Sequence, residues 1–535
     1  MSSTHSWFAH YPKSISTEVD IPHQTLPQML QNTASTYPQN VALSFYGQKL
    51  TYQQLEKSVS LFASSLQKNH VQKSDRVAIM LPNCPQYVIS YYGTLTVGGI
   101  VTQVNPMLVE RELEYILNDS GAETIVVLDS LYSKIKSVQE KTKLKTIIVV
   151  SFQPNTSSID DIRFSDFLAV AESDLIPITI DPEHDVAVLQ YTGGTTGRSK
   201  GAMLTHRNLL ANLIQSAEFF KHEVTVGKER FLTIIPLFHV FGMSACMNFS
   251  IYMASESIML PRFEIEEVLN TIKNEQPTVF PGVPTMYVAI THHPKAEKYG
   301  IDSIHTCNSG SAPMPVELLK EFERKTGAKI LEGYGLSETS PCTNCNPNFA
   351  ERKPGSVGIG FPSTEYKVVD LATGEKEVPI GELGEVIIKG PQVMKGYWNM
   401  PEETAITLRD GWLYTGDIAF MDEQGYLSIV DRKKDMIIAS GFNIYPRDIE
   451  EIIYEHPAVQ EAVVIGVPDP YRGESVKAVL VLKVGQTATE ADIIDFCREN
   501  MAAYKIPSVV EFRNQLPKTS VGKILRRALR DEVKS

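Results

Sequence analysis

The chain has 535 residues, 43% hydrophobic and 21% charged, with a formal net charge of −13. That length predicts more than one domain, and the composition is ordinary for a globular protein in water. The acidic balance, without a long basic run, argues against a nucleic-acid scaffold, although ATP or coenzyme A would need only local cations.

In chain order, the N-terminus MSSTHSWFAHYPKS lacks the apolar core of a secretory leader, which predicts a cytoplasmic protein. LTYQQLEKSVSLFASSLQKN places Leu55, Val59, Phe62 and Leu66 on one helical face. RVAIMLPN, ETIVVLD and KTIIVVS are short strand-like runs, separated by helical stretches such as ERELEYILNDSG. This alternation predicts parallel sheets covered by helices. Two long stretches of low charge, Val77–Val109 and Phe231–Ser255, are interrupted by Pro82, Pro85, Pro236 and Gly242 and read as buried core, not membrane spans. VAVLQ and GAML flank a glycine-rich loop, after which Thr205 reads as the N-cap of HRNLLANLIQSAEFF. Of the six cysteines, Cys342 and Cys345 form a lone CxxC without a second pair for zinc. Thr364–Lys389 reads as antiparallel strands joined by turns. Beyond the charge cluster DRKKD comes a short helix with Ile449, Ile452 and Ile453, then strands AVVIGV and SVKAVLVLK, and a helix EADIIDFCRENMAAY. The expected fold is therefore α/β. A large N-terminal domain (1–431) of parallel or mixed sheets covered by helices includes a β-rich subdomain. A small, mobile α+β C-terminal domain (432–535) follows.

The loop YTGGTTGRSKG, Tyr191–Gly201, has the chemistry of a phosphate cradle. Glycines let backbone N–H groups approach an anion, threonines add hydroxyl donors and a lysine adds charge. It is not a Walker loop, because Arg198 and Ser199 intervene between Gly197 and Lys200.

Together with EGYGLSET, GWLYTGD, DRKKDMIIASGFNIYPRDIE and PKTSVGKILRR, this loop resembles the motifs of adenylate-forming enzymes: acyl-CoA ligases, luciferases and peptide-synthetase adenylation domains. The resemblance covers nearly the whole chain in family order. TGGTTGRSKGAMLTH, PLFHVFG and GYGLSE are most similar to bacterial long-chain fatty-acid–CoA ligases. The resemblance implies that Thr192, Gly193, Gly194, Thr195, Thr196, Gly197 and Lys200 embrace the β- and γ-phosphates of ATP. Gly310, Ser311 and Ala312 lie beside adenine, with Gly333, Tyr334 and Gly335 opposite. Thr339 bonds the α-phosphate, Glu338 holds Mg²⁺, and Asp417 and Arg432 meet the ribose and phosphate. Lys523 is the adenylation lysine, Lys434 the hinge and Gly441 part of a coenzyme A tunnel. His239 sits near the substrate carboxylate, within an apolar segment that lines an acyl groove with Val279–Tyr287. The implied reaction makes acyl-AMP and pyrophosphate from a medium- or long-chain fatty acid and ATP, then acyl-CoA. An aryl-CoA ligase, a ligase serving a carrier protein and a non-catalytic binding relative are the alternatives. Peripheral membrane contact and a homodimer stay open.

Overall fold

The computed structural model describes residues 5–153, 159–171, 175–192, 199–312, 314–439, 442–469, 472–519 and 522–534. Local signals explain the first layer. Thr51 caps the helix Tyr52–Lys68 by accepting a hydrogen bond from the Gln54 N–H, and the Gln54 side-chain oxygen accepts one from the Thr51 N–H. Leu55, Val59, Phe62 and Leu66 from this helix are all buried. They pack toward an eight-stranded sheet with the order Gly396–Tyr397, Lys200–Thr205, Val186–Thr192, Ile100–Gln103, Arg76–Met80, Thr124–Leu128, Thr146–Val150 and Ile162–Arg163. Its middle strands are parallel, whereas Val186–Thr192 and Lys200–Thr205 run antiparallel. The glycine-rich loop thus joins two strands, and the next helix, His206–Phe219, begins only after the Thr205 cap.

The second sheet has nine strands, and six run Ile359–Gly360, Cys342–Cys345, Ile330–Gly335, Thr306–Ser309, Val279–Gly282 and Arg230–Thr233 in spatial order. Neighbouring residues in a strand point to opposite faces. Phe231, Val279, Leu331 and Cys345 therefore join the core shared with the first layer. Leu232, Phe280, Cys307 and Ile330 pack on the other side, against Val268, Leu269, Leu319 and Phe322. Both stretches of low charge lie mostly in the packed interior, with Met107 and Val109 exposed at the end of the first, and no described helix is long and apolar enough to cross a membrane.

A five-stranded sheet contains the antiparallel pair Glu365–Val369 and Gly384–Lys389, with Trp412–Met421 and Leu427–Arg432 alongside. The chain then turns, the Asp435 N–H bonding the Arg432 carbonyl at 2.8 Å, and enters another five-stranded sheet starting at Ile437–Ala439. Ile449 and Ile453 of helix Pro446–Tyr454 bury against it. The last long helix differs from expectation: Glu490–Asn500 stops before MAAY. The Met501 N–H closes the final turn on the Cys497 carbonyl at 2.9 Å, Met501 itself is extended, and the Asn500 side-chain amide takes the Phe496 carbonyl at 2.8 Å.

Phe62 is fully buried and its ring contacts Phe164 and Phe167 at 5.5 and 5.2 Å between centroids. Phe62→Ala is expected to destabilise the protein by about 3–5 kcal/mol, read as a lower thermal or urea midpoint.

Candidate active site

A cavity of about 1300 Å³ lies where the N-terminal sheets, the Trp412–Met421 sheet and the C-terminal segment meet. Its wall includes Thr192, Lys200, His239, Gly310, Ser311, Ala312, Gly333, Tyr334, Gly335, Glu338, Asp417, Arg432, Lys434 and Lys523. Residues from Thr192 to Lys523 thus reach one space, although they span most of the chain. Gly193, Gly194, Thr195, Thr196, Gly197 and Gly441 lie outside the described residues.

Thr339 differs from expectation. It is fully buried and absent from the cavity wall; its hydroxyl bonds the Pro341 carbonyl and accepts from the Leu336 N–H at 2.9 Å. Those bonds tie down the short 3₁₀ turn Ser337–Thr339. Ser337, passed over in the sequence, faces the cavity instead. Spacing alone could not separate two hydroxyl residues that flank Glu338. Gly335 is needed just before this turn, since a Cβ there would lie 2.1 Å from the Pro341 carbonyl oxygen.

Asp417 organises the centre. It pairs directly across two antiparallel strands with Arg432. One carboxylate oxygen meets the Arg432 Nε at 3.0 Å, and the other accepts from the Tyr334 hydroxyl at 2.6 Å. Asp417 is only 3% exposed, so these bonds offset the cost of burying its charge. Lys523 comes from a hairpin in which the Thr519 N–H bonds the Lys523 carbonyl at 2.7 Å. Gly522 has φ +76°, and a Cβ on it would meet the Thr285 hydroxyl oxygen at 2.6 Å, so this hairpin fits closely against the N-terminal part. Burial and the neighbouring Arg432 pull the Lys523 ammonium down to about 8, while Asp417 opposes that shift.

His239 is held neutral: burial, with Lys523 nearby, lowers it to about 4. Its Nδ1 accepts from the Phe241 N–H at 3.3 Å. Beyond it, Phe231, Val279, Thr306, Asn308, Gly333 and Cys345 line the cavity on one sheet face, with Ser216, Phe220 and Phe249 opposite. Strand parity explains this set, because Phe231 pairs with Val279, Val279 with Thr306, and Gly333 with Cys345. The CxxC thiols are therefore parts of a wall, and burial raises both.

Three polar residues were not singled out from sequence. Glu332 is 5% exposed and burial pushes its carboxyl up to about 8. The side-chain amide of Asn344 and the Ser309 hydroxyl are buried without a protein partner. Register puts all three on the Tyr334 face, since Ser309 pairs with Glu332 and Asn344 with Tyr334. The detectable signal in sequence was only their place inside strands.

Comparison with known proteins gives the family and the fold. The family described as AMP-binding enzyme matches residues 30–398, and its C-terminal domain matches 448–523. A long-chain-fatty-acid–CoA ligase of Bacillus subtilis is 49% identical over 99% of this chain and 99% of its own. A protein of the same name from Escherichia coli is 39% identical, covering 99% and 98%. Crystalline ATP-bound MatB from Rhodopseudomonas palustris superposes with a TM-score of 0.87 at 31% identity, covering 96% of this chain and 99% of that one.

Lys523 is expected to lose its proton near pH 8. Amine-selective labelling read by peptide mass spectrometry should rise through that pH. Asp417→Asn removes the charge that favours the ammonium and should move the midpoint lower; an unchanged midpoint near 10.5 in the intact protein would contradict the geometry.

Proposed function

Since this chain belongs to the AMP-binding enzyme family, we propose that it is an ATP-dependent ligase joining a long-chain fatty acid to coenzyme A. ATP and coenzyme A are co-substrates of the family. The observation that carries the reading is one cavity with two kinds of wall: cations and Asp417 on one part, and Phe220, Phe231, Phe249 and Val279 on another. Single-ligand pockets run to about 300–1000 Å³, so 1300 Å³ suits two substrates held together. The names and full-length coverage of the curated relatives support the acyl class.

In this reading Tyr334 stacks on adenine, and the unpartnered Asn344 amide and Ser309 hydroxyl meet polar atoms of the nucleotide. Asp417 keeps lone pairs free beyond those used by Tyr334 and Arg432, and accepts from the ribose hydroxyls. Lys200 and the glycine-rich loop take the terminal phosphates, with Ser337 in the place expected for Thr339 toward the α-phosphate. The Thr339 turn instead positions Glu338.

The donor set also fits Mg²⁺. Among the described residues no group of three or more His, Cys, Asp or Glu could hold a metal by itself. Mg²⁺ commonly takes one or two carboxylates together with substrate phosphates, and Glu338 in the cavity wall offers one. When bound, the ion neutralises phosphate charge.

A fatty carboxylate oxygen attacks the α-phosphorus, and the bond to the bridging oxygen breaks to release pyrophosphate. Both reactants are anionic. Lys523, with Arg432 beside it, offsets their repulsion and the charge that develops. His239 stays neutral and closes the acyl tunnel near the carboxylate. The coenzyme A thiol then gives up its proton to solvent, its sulfur attacks the acyl carbon, the C–O bond breaks and AMP leaves. We read 1–431 and 432–535 as the two domains. The turn at Lys434 is the hinge that withdraws Lys523 before the second step.

Acyl-CoA and AMP formation across straight-chain and aromatic acids tests the reading. Turnover should rise into long chains and stay low with aromatic acids. Pyrophosphate release without thioester would indicate a carrier-protein acceptor, and inactivity with every acid a binding protein. Lys523→Ala should lower acyl-AMP formation by at least about 100-fold while ATP binding, measured by calorimetry, changes little. Val279→Trp, which fills the tunnel, should shift preference toward shorter acids; an unchanged chain-length profile would remove Val279 from the acyl path.

A further inference from the structure

The segment Gly396–Thr407 is not part of the motifs considered so far, yet several of its residues line the central cavity, two of which meet Lys200 and Glu338. One is Glu403, on the first turn of helix Pro401–Thr407; its carboxylate forms an ion pair with the Lys200 ammonium. The other is Tyr397, whose hydroxyl donates to the Glu338 carboxylate at 2.7 Å. Its ring also lies 5.2 Å from the Lys200 ammonium. Lys200 is 9% exposed, so its charge needs a partner close by.

The backbone makes this segment a strap across both groups. Gly396 and Tyr397 pair with Met203 and Ala202, just beyond Lys200. The Trp398 N–H bonds the Gly201 carbonyl at 2.8 Å. On the other side the Met394 N–H bonds the Glu338 carbonyl at 2.8 Å. Inside the strap, the Tyr397 N–H bonds the Thr404 hydroxyl oxygen at 2.9 Å, which ties the strand to the helix carrying Glu403.

We infer that Glu403 and Tyr397 are positioning residues. They hold the phosphate-loop lysine and the carboxylate assigned to Mg²⁺ at a set separation, so that both face the triphosphate together. Glu403 aims the Lys200 ammonium. Tyr397 fixes which oxygen of Glu338 is left free for the ion. This inference rests on the roles proposed above for Lys200 and Glu338.

ATP binding by calorimetry, in EDTA and in excess Mg²⁺, separates the two arms. Glu403→Gln should weaken ATP roughly tenfold in both conditions, and Glu403→Asp should recover part of the loss. Tyr397→Phe should weaken ATP roughly tenfold only with Mg²⁺. In turnover assays both variants should raise the KM for ATP and leave the KM for fatty acid unchanged. In a Lys200→Ala background, Glu403→Gln should cost nothing further, because its effect acts through Lys200. Circular dichroism and thermal melting confirm folding; if Glu403→Gln is poorly folded, Glu403→Asp and Tyr397→Phe carry the same comparison. Additive losses with Lys200→Ala, or a Tyr397→Phe loss that ignores Mg²⁺, would overturn the positioning roles. If Lys200→Ala itself leaves ATP binding intact, the underlying phosphate reading fails and the strap's function fails with it. If Lys200→Ala weakens ATP but neither strap variant does, only this inference falls.

Discussion

Asp417 is a buried carboxylate in a neighbourhood of cations. Arg432 lies on one of its oxygens, and Lys523 is close enough for both charges to act on it. Without Asp417, two positive groups would face each other uncompensated, and the lysine would give up its proton still more readily. The third partner, the Tyr334 hydroxyl, belongs to the nine-stranded sheet. One carboxylate therefore fastens the strand of Tyr334 to the strand of Arg432. It also sets the field into which the C-terminal hairpin delivers Lys523.

The rest of the cavity depends on the same junction. Tyr334 and Gly333 are consecutive residues and point to opposite faces of one strand. The Tyr334 face collects Ser309, Glu332 and Asn344. The Gly333 face opens on Cys345, Asn308 and Val279. A single strand thus separates a polar compartment from an apolar one. The small side at Gly333 leaves the apolar path unblocked where the two come closest. In the proposed reaction this arrangement would bring a carboxylate head and a phosphate chain together while the acyl tail stays out of water.

The charged parts are held by structure remote from them in sequence. Lys200 leaves its loop as a strand residue, but its ammonium is partnered by Glu403, and Glu338 is partnered by Tyr397. Both partners come from the short segment that adds the edge strand to the eight-stranded sheet. Edge pairing therefore finishes a sheet and also places two side chains in the cavity wall beside Lys200 and Glu338.

Much of this was legible in the chain. Apolar periodicity located the helix Tyr52–Lys68, the capping residue Thr205 located the start of His206–Phe219, and β-rich runs located the parallel strands, because these signals act over a few residues. The motifs identified Asp417, Arg432, Tyr334 and Lys523, and the chain brings them together in one cavity. Local pattern could not separate Ser337 from Thr339, since the direction of each hydroxyl depends on a turn closed by Leu336 and Pro341. Nor could it join Glu403 to Lys200, or Phe231 to Cys345 along one tunnel wall. Those relations are set by which strands become neighbours and in what register. Sequence determined the elements and the chemistry available. Only the tertiary structure decided which side chains share a face, because that choice is made by pairing between segments far apart in the chain.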